Sequence, residues 1–306
     1  MVETRYPRDL VGYAGAPPDP RWPGDARVAV SVVLNHEEGG EYNVLHGDAH
    51  GEYVLTDLGA TTPRRGARDL LVESMFDYGT RAGFWRVARV LRERSWPTTV
   101  FAVGMALERT PAVAALMREA GWEVACHGHR WIDYFGYDEA AERADITACA
   151  RTVTNMIGTA PVGWYTGRMS ANTRRLVAEH GGFLYDSDGY DDDLPHWVRS
   201  GQKPVLVVPY SLDVNDARMA RGGDLATADA WFGYARDAFD WLYAEGASSP
   251  KMLSIGLHSR LIGRPARIGG LARLLDHIAS HDGVWRATRA DIARHWIATH
   301  PATPPA

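Results

Sequence analysis

The chain has 306 residues, 45% of them hydrophobic and 23% charged, and a formal net charge of -5. This composition is typical of a globular protein with a large core, and the acidic balance argues against nonspecific binding to nucleic acid or to an anionic membrane surface. The first residues lack the layout of a secretion signal, no apolar run is long enough to span a membrane, and two cysteines are too few for a disulfide scaffold. We therefore expect a cytoplasmic protein.

The first part of the chain is predicted to be an arm followed by a buried strand and a long loop. Residues 6–25 are rich in Pro, Gly and aromatic residues, which predicts an N-terminal arm over 1–25 that wraps the surface of a single catalytic domain over 1–306. The apolar, β-branched run 26–34 predicts a strand buried on both faces. Residues 42–72 show no period, and a loop of this length is usually functional or part of an interface.

Beyond that loop, helix and strand patterns alternate to the end of the chain. The predicted strands cover 98–103, 123–126, 162–165, 183–185, 205–209 and 251–257. The predicted helices cover 78–94, 111–120, 138–157, 172–180, 227–245 and 265–279, with a last strand and helix within 284–296. Seven or eight such units predict an α/β fold with a parallel sheet, and at this length a single distorted (β/α) barrel. A doubly wound sheet is the alternative.

An acidic segment, Glu37, Glu38 and Glu41, follows the first predicted strand. Crowded carboxylates repel one another, so at least one should have a raised pKa unless a cation or strong hydrogen-bond donors compensate. A carboxylate with a raised pKa is suited to general acid or base catalysis near neutral pH. The alternative interpretation of the segment is a solvated acidic turn.

Other polar groups also follow predicted strands. They are Asn35, His127 to His129, Tyr165 to Arg168, Asp186 to Asp193, Asn215, Asp216 and His258. In a barrel the carboxyl ends of the strands open onto one face, which carries the active site, so residues remote in sequence should converge there.

Each of these polar groups also has a structural explanation. A histidine after a strand is often a satisfied structural residue, Arg168 can pair with an aspartate, and Cys126 beside His127 is either a nucleophile or a buried thiol. His127 and His129 are two residues apart and, with Glu38, would suffice for a catalytic zinc site. The residues alone do not decide between a zinc site and a site without metal.

The order of motifs resembles the polysaccharide deacetylase superfamily, also called carbohydrate esterase family four or the NodB-like family. Its members carry Thr-Phe-Asp-Asp-Gly-Pro after the first strand, then a His-x-x-x-His pair that completes a metal site, and a Leu-x-His motif near the end. Here the first motif reads Asn35-His36-Glu37-Glu38-Gly39-Gly40 and the last reads Gly256-Leu257-His258. Glutamates replace both aspartates, and Trp131 stands where the second histidine is expected.

With these altered motifs, the sequence is similar to the metal-independent allantoinases, a branch of the same superfamily. The similarity extends over long motifs, which are 6–13, 35–41, 127–134, 163–168, 185–195 and 257–265. It implies hydrolysis of allantoin to allantoate without a metal or other cofactor, in a homo-oligomer that is expected to be a homotetramer.

Within that resemblance we assign roles to individual residues. Glu37 is the predicted general base, its pKa raised by its acidic neighbours, and His258 is the predicted acid or oxyanion stabiliser, with His127 orienting the water or the substrate. The predicted substrate-binding residues are Asn35, Glu38, Trp131, Tyr165, Arg168 and Asp188. The alternatives are a metal-dependent deacetylase or cyclic imidase, and a noncatalytic protein that binds ureides or carbohydrates.

Overall fold

The computed structural model describes residues 8–58, 62–220 and 225–302. A curled sheet lies at its centre, and its strands are β1 (Val28–His36), β2 (Thr98–Ala102), β3 (Glu123–Cys126), β4 (Gly163–Trp164), β5 (Tyr185–Asp186), β6 (His196–Ser200), β7 (Lys203–Val207), β8 (Lys251–His258) and β9 (Val284–Arg286). The helices pack around it, and they are α1 (Leu70–Tyr78), α2 (Phe84–Glu93), α3 (Gly104–Arg109), α4 (Pro111–Glu119), α5 (Glu139–Ile157), α6 (Thr173–His180), α7 (Ala228–Glu245), α8 (Ile268–Ala279) and α9 (Arg289–Thr299).

The strands follow the order β6-β7-β5-β4-β3-β2-β1-β8, and β9 pairs with β1. All of these pairings are parallel except the β6–β7 hairpin. The sheet therefore forms a half-barrel built mainly from parallel strands, as the strand–helix alternation predicted.

Strand β1 is the centre of this sheet. All nine of its residues are buried, because β2 and β8 flank it on its two edges. The helices cover one of its faces and the interior of the barrel covers the other. Its register places Asn35 opposite Phe101 on one side and His258 on the other. The carboxyl ends of β1 and β8 therefore bring two of the predicted site residues side by side.

Several element boundaries differ from the prediction. Strand β1 extends to His36, two residues past the predicted end, because Asn35 and His36 keep strand pairing with β2. Helix α1 begins within the predicted loop 42–72, and the Asp69 side chain caps it by accepting a hydrogen bond from the amide of Val72. A π-helical segment, Gly79–Gly83, joins α1 to α2. The hairpin strand β6 was missed because its residues lack a buried apolar run.

The described part of the N-terminal arm lies against the last strand and helix. Trp22 is buried, its Nε1 donates to the Lys251 carbonyl at 3.0 Å, and its ring lies 5.5 Å from that of Trp285. The His295 side chain bonds to the Pro20 carbonyl at 2.8 Å. Residues 1–7 of the predicted arm lie outside the described residues, as do 59–61 of the predicted loop.

Within the described residues, we find no helix that combines the length and the hydropathy needed to cross a bilayer. The single-domain boundary, the homo-oligomer and the compartment stay predictions.

Candidate active site

Three predicted catalytic side chains meet at the carboxyl ends of the strands. Glu37 directly follows β1, His127 follows β3, and His258 is the last residue of β8. The Glu37 Oε1 atom lies 3.2 Å from His127 Nε2 and 3.5 Å from His258 Nε2. All three residues are buried. One carboxylate oxygen thus faces two imidazoles from strands that are far apart in sequence.

Arg260 neutralises this carboxylate from the other side. Its Nη2 donates to Glu37 Oε2 at 2.7 Å, and its Nη1 donates to Glu38 Oε1 at 3.4 Å. The guanidinium is buried and lies over the Phe76 ring at 4.3 Å and near the Trp131 ring at 5.2 Å. A buried ion pair with aromatic walls on one side keeps its charges close together and away from water.

This pairing sets the pKa of Glu37 in the direction opposite to our prediction. Burial raises the pKa of Glu37, but the positive charges of Arg260 and His258 together with the His127 hydrogen bond outweigh burial and hold it well below its usual value. Burial lowers the pKa of His258, and the Glu37 and Asp216 carboxylates outweigh that effect and raise it to about 9. The prediction of a raised Glu37 pKa is wrong because it omitted Arg260. At neutral pH the resting site contains a charged glutamate and a charged histidine.

Glu41 is the member of the acidic segment with a raised pKa. It is buried, its Oε2 accepts a hydrogen bond from the Gly39 amide at 2.6 Å, and burial raises its pKa to about 7. One carboxyl group of the segment therefore does titrate near neutrality, but burial rather than crowding is the main cause, and this group is not the predicted base.

Asp216 fixes the orientation of His258. It starts the short 3-10 helix Asp216–Met219, and its Oδ1 lies 2.6 Å from His258 Nδ1. Its Oδ2 accepts hydrogen bonds from the amides of His258 and Ile262, at 2.7 and 3.0 Å. Because a carboxylate only accepts hydrogen bonds, His258 must carry a proton on Nδ1 and direct Nε2 toward Glu37.

A cavity of about 430 Å³ opens above Glu37. Its polar wall contains Asn35, whose side-chain amide donates to the Tyr210 hydroxyl at 3.0 Å, while Asn215 donates to the same hydroxyl at 3.1 Å. Tyr165 stacks on Phe101 with ring centroids 4.6 Å apart and forms a 3.0 Å hydroxyl–hydroxyl hydrogen bond with Tyr190. The wall thus combines flat apolar surfaces with hydroxyl and amide groups.

Loop residues form the mouth of the cavity. The Arg168 guanidinium lies 4.0 Å from the centre of the Trp131 ring, and its Nη1 donates to Glu52 Oε2 at 3.3 Å. Glu52 is buried and lies in the predicted loop 42–72, and Val54 and Leu55 of the same loop also line the cavity. This long loop therefore covers the site, and Arg168 pairs with a glutamate of the loop rather than with an aspartate after β5.

Two predicted substrate-binding residues support the cavity without lining it. Glu38 lies behind Glu37, where its Oε2 is 3.6 Å from His36 Nδ1. Asp188 accepts hydrogen bonds from the amides of Thr166 and Gly167, at 2.9 and 2.7 Å, and so holds the loop that carries Arg168. The other predicted site residues, Asn35, Glu37, His127, Trp131, Tyr165, Arg168 and His258, all line the cavity.

The zinc alternative does not fit these residues. His129 does not share a face with His127, because Gly128 adopts a left-handed φ of 75° and turns the chain so that the His129 side chain lies against Gly104. The Arg260 guanidinium already pairs with both Glu37 and Glu38, so these carboxylates do not need a metal ion to neutralise them. Among the described residues, the one group of His, Cys, Asp or Glu side chains with metal-ligand spacing is Asp240, His277 and His281, which do not line the cavity.

Sequence reasoning assigned no role to four important residues. They are Glu52, Tyr210, Asp216 and Arg260. Arg260 follows His258 by two residues at the end of a buried strand, which was a usable signal, and Asp216 was already noted at a strand end. Tyr210 directly follows the predicted strand 205–209 and was a usable signal too, whereas Glu52 gave none because it lies in a loop whose path depends on tertiary packing.

Comparison with known proteins places the chain in a family. The model of the family described as "Polysaccharide deacetylase" matches residues 65–182. A curated relative, the "Putative polysaccharide deacetylase" of Schizosaccharomyces pombe, is 44% identical over 98% of this chain and 99% of its own length. The chain belongs to the polysaccharide deacetylase family. The matched segment contains His127 and Arg168, whereas Glu37 and His258 lie outside it.

Solved structures narrow the comparison within this family. The crystal structure of a probable polysaccharide deacetylase from Pseudomonas aeruginosa PAO1 shares 54% identity, covers 97% of this chain and 100% of its own, and superposes with a TM-score of 0.95. The crystal structure of Puue allantoinase shares 53% identity, covers 98% of this chain and 100% of its own, and also superposes with a TM-score of 0.95. The resemblance to this family predicted from the motifs is therefore confirmed, together with a hydrolase fold of the NodB type.

Proposed function

We propose that the chain hydrolyses allantoin to allantoate by opening the hydantoin ring at a cyclic amide bond. The observation that carries the choice of substrate is the 53% identity with Puue allantoinase over 98% of the chain. The geometry supports hydrolysis, because a charged Glu37 and a charged His258 face the same cavity. The cavity of about 430 Å³ suits a small, flat molecule with many donors and acceptors.

Glu37 acts as the base on the attacking water. The water oxygen adds to the ring carbonyl carbon while its proton passes to the Glu37 carboxylate, which gives a tetrahedral intermediate. His127 lies 3.2 Å from the same carboxylate oxygen and orients the water or the carbonyl. A carboxylate with a depressed pKa is a weak base in the resting site, so this step needs help from the second group.

His258 provides that help as the acid. Its Nε2 proton passes to the leaving ring nitrogen as the carbon–nitrogen bond breaks, and the imidazole becomes neutral. Loss of this positive charge beside Glu37 raises the pKa of Glu37, so the two proton transfers assist each other. The 3.5 Å contact between Glu37 and His258 then returns the proton from the carboxyl group to the imidazole and restores the resting site.

The other lining residues hold the ring. Asn35 and Tyr165 offer hydrogen bonds, Trp131 offers a flat wall, and Arg168, stacked on that wall, carries a donor fork for substrate carbonyl oxygens. No step of this scheme passes through a metal ion, because Arg260 already neutralises the carboxylates.

A polysaccharide deacetylase is the second candidate, favoured by the name of the Schizosaccharomyces pombe relative and by the matched family model. The two candidates are distinguished by assaying chelator-treated, dialysed protein with allantoin and, separately, with acetylated sugars. We expect turnover of allantoin without added metal. Deacetylation that appears only after zinc is restored, with no turnover of allantoin, would support the second candidate instead.

The roles of individual residues are tested with Glu37→Gln, which keeps the shape of the side chain and removes the base. We expect kcat to fall by roughly 10²- to 10⁴-fold. Glu179→Gln is the matched control, because Glu179 is an exposed residue of α6 that pairs with Arg143 and Arg175 and does not line the cavity. Near-normal turnover by folded Glu37→Gln protein would remove Glu37 from the mechanism.

A further inference from the structure

Three potential metal ligands converge on the outer surface where α7 faces α8. Asp240 lies on α7, His277 lies in the last turn of α8, and His281 follows two residues after that helix ends. One nitrogen or oxygen atom from each side chain lies within 4.8 Å of the others, and His277 Nε2 is 2.6 Å from Asp240 Oδ1. None of the three residues lines the catalytic cavity.

The orientation of His281 is already that of a ligand. Its Nδ1 lies 2.9 Å from the backbone carbonyl oxygen of His277. A carbonyl oxygen only accepts hydrogen bonds, so Nδ1 carries the proton and the lone pair lies on Nε2. Histidines that bind metals in proteins commonly donate their other ring nitrogen to a carbonyl in the same way, which fixes the tautomer and the direction of the lone pair.

Aromatic side chains of α7 hold both rings in place. Phe239 meets the His277 and His281 rings edge-on, with centroids 5.6 and 5.1 Å apart, and Tyr243 meets His281 at 4.9 Å. The Tyr243 hydroxyl donates to the Asp282 carbonyl at 2.8 Å and so fixes the chain just after His281. The two imidazoles are therefore preorganised, with ring centroids 4.8 Å apart.

The local charge leaves Asp240 available to a cation. The Arg236 guanidinium lies 4.0 Å from Asp240, and its closer partner is Asp237, at 2.6 Å. The Asp240 side chain is 44% exposed, so it can rotate by the small amount that coordination between the fixed imidazoles needs. Two imidazole nitrogens and one carboxylate oxygen are a complete set of protein ligands for zinc with water in the remaining position.

We propose that Asp240, His277 and His281 bind a divalent transition-metal ion that joins the end of α8 to α7. Two imidazoles select zinc, nickel or copper over calcium and magnesium, which prefer oxygen ligands. Because the site is on the outer surface and lies outside the catalytic cavity, the ion stabilises the packing of the two helices and takes no part in the reaction.

The experiment measures binding of zinc alone to the full chain after metal removal, by titration calorimetry and by metal analysis after equilibrium dialysis. We expect one zinc ion per chain for the wild type. Asp240→Asn and His281→Ala should each weaken binding at least roughly tenfold. Zinc should also raise the melting temperature of the wild type, because a ligand that binds only the folded state stabilises it, and this rise should be lost in both variants.

His180→Ala is the matched control, since His180 is an exposed histidine at the end of α6 whose ring lies beside Phe183. It should bind zinc as the wild type does. If His281→Ala does not fold, Asp240→Asn carries the test, because the amide keeps the size of the carboxylate. The proposal is overturned if the wild type binds no zinc, or if both folded variants bind it with unchanged affinity and stoichiometry, which would place the ion elsewhere.

Discussion

Glu37 and Glu41 lie at opposite ends of the acidic segment that follows β1, and both are buried, with 1% and 7% of their surface exposed. Glu37 contacts the Arg260 guanidinium at 2.7 Å and two imidazoles at 3.2 and 3.5 Å. Glu41 accepts a hydrogen bond from the Gly39 amide at 2.6 Å, and Arg260 acts on it only as a more distant charge. The pKa of Glu37 is held well below its usual value, whereas that of Glu41 is raised to about 7.

The contrast shows that the partner of a buried carboxylate, rather than its burial or its neighbours in sequence, decides its charge. Burial raises the pKa of both groups, and only Glu37 has cations close enough to reverse the effect. The carboxylate that faces the cavity is thereby kept ionised. The other carboxylate lies outside the residues that line the cavity and can be protonated near neutral pH.

Removing the Arg260 guanidinium should abolish the difference in pKa between Glu37 and Glu41. Of the changes considered, we expect this one to have the largest effect on stability. Arg260→Met leaves the Glu37 and Glu38 carboxylates buried without their guanidinium partner. We expect the free energy of unfolding at pH 7 to fall by about 3–5 kcal/mol, because an uncompensated buried charge is strongly destabilising. Denaturant unfolding, monitored by tryptophan fluorescence, measures this loss.

The control for that variant is Arg273→Met, which removes an exposed ion pair between Arg273 and Asp229. An exposed pair of this kind contributes at most about 1 kcal/mol. A similarly small loss in Arg260→Met would mean that the two glutamates are already protonated in the folded protein, and the contrast between Glu37 and Glu41 would disappear.

Asp216→Asn should weaken the contrast between Glu37 and Glu41 by lowering the pKa of His258, one of the two positive charges that act on Glu37. The carboxylate of Asp216 contributes to the raised pKa of His258 and fixes the proton on Nδ1. With an amide in its place we expect the pKa of His258 to fall below about 9 and kcat on the proposed substrate to fall by roughly 10²-fold. Titration of the His258 ring by NMR and the pH profile of kcat measure the two effects.

A purely structural role for Asp216 would change stability and leave the His258 titration unmoved, which would contradict this assignment. Asp229→Asn serves as the control, because Asp229 is an exposed acid in the first turn of α7. It should change neither the NMR titration nor the pH profile.

The sequence predicted the architecture and the location of the site better than its electrostatics. Buried strands such as β1 and β8 are mostly apolar, so strand ends and their polar residues could be located. Glu37, His127 and His258 lie together as expected. The charge on Glu37 could not be predicted, because it depends on Arg260, whose side chain reaches back across 223 positions of sequence.

The sequence patterns also failed to predict the position of a key loop residue and the presence of a weak strand. Glu52 lies in the predicted loop 42–72, and only the folded path of that loop places it beside Arg168. The hairpin strand β6 is half-exposed and has no apolar period, and it is formed through pairing with β7. In both cases the deciding interactions are tertiary.

Glu41→Gln should sharpen the contrast by removing the carboxylate that lacks a close cation. The folded-state pKa of Glu41, about 7, is above its ordinary value of 4.5. Between these two values the folded chain keeps the proton that the unfolded chain releases, so the stabilising contribution of this group is present below pH 4.5 and is lost as the pH rises through about 7.

A glutamine keeps the acceptor for the Gly39 amide and has no charge to bury. At pH 8 the variant should therefore be more stable than the wild type by about 3 kcal/mol, and this difference should vanish toward pH 4.5. The titration of His258 also lowers stability at high pH, but it is present in both proteins and cancels in the difference. Denaturant unfolding of both proteins from pH 4.5 to 8 measures the comparison. A variant that is less stable than the wild type at pH 8 would show that the Glu41 carboxylate is stabilised in its charged form, as Glu37 is.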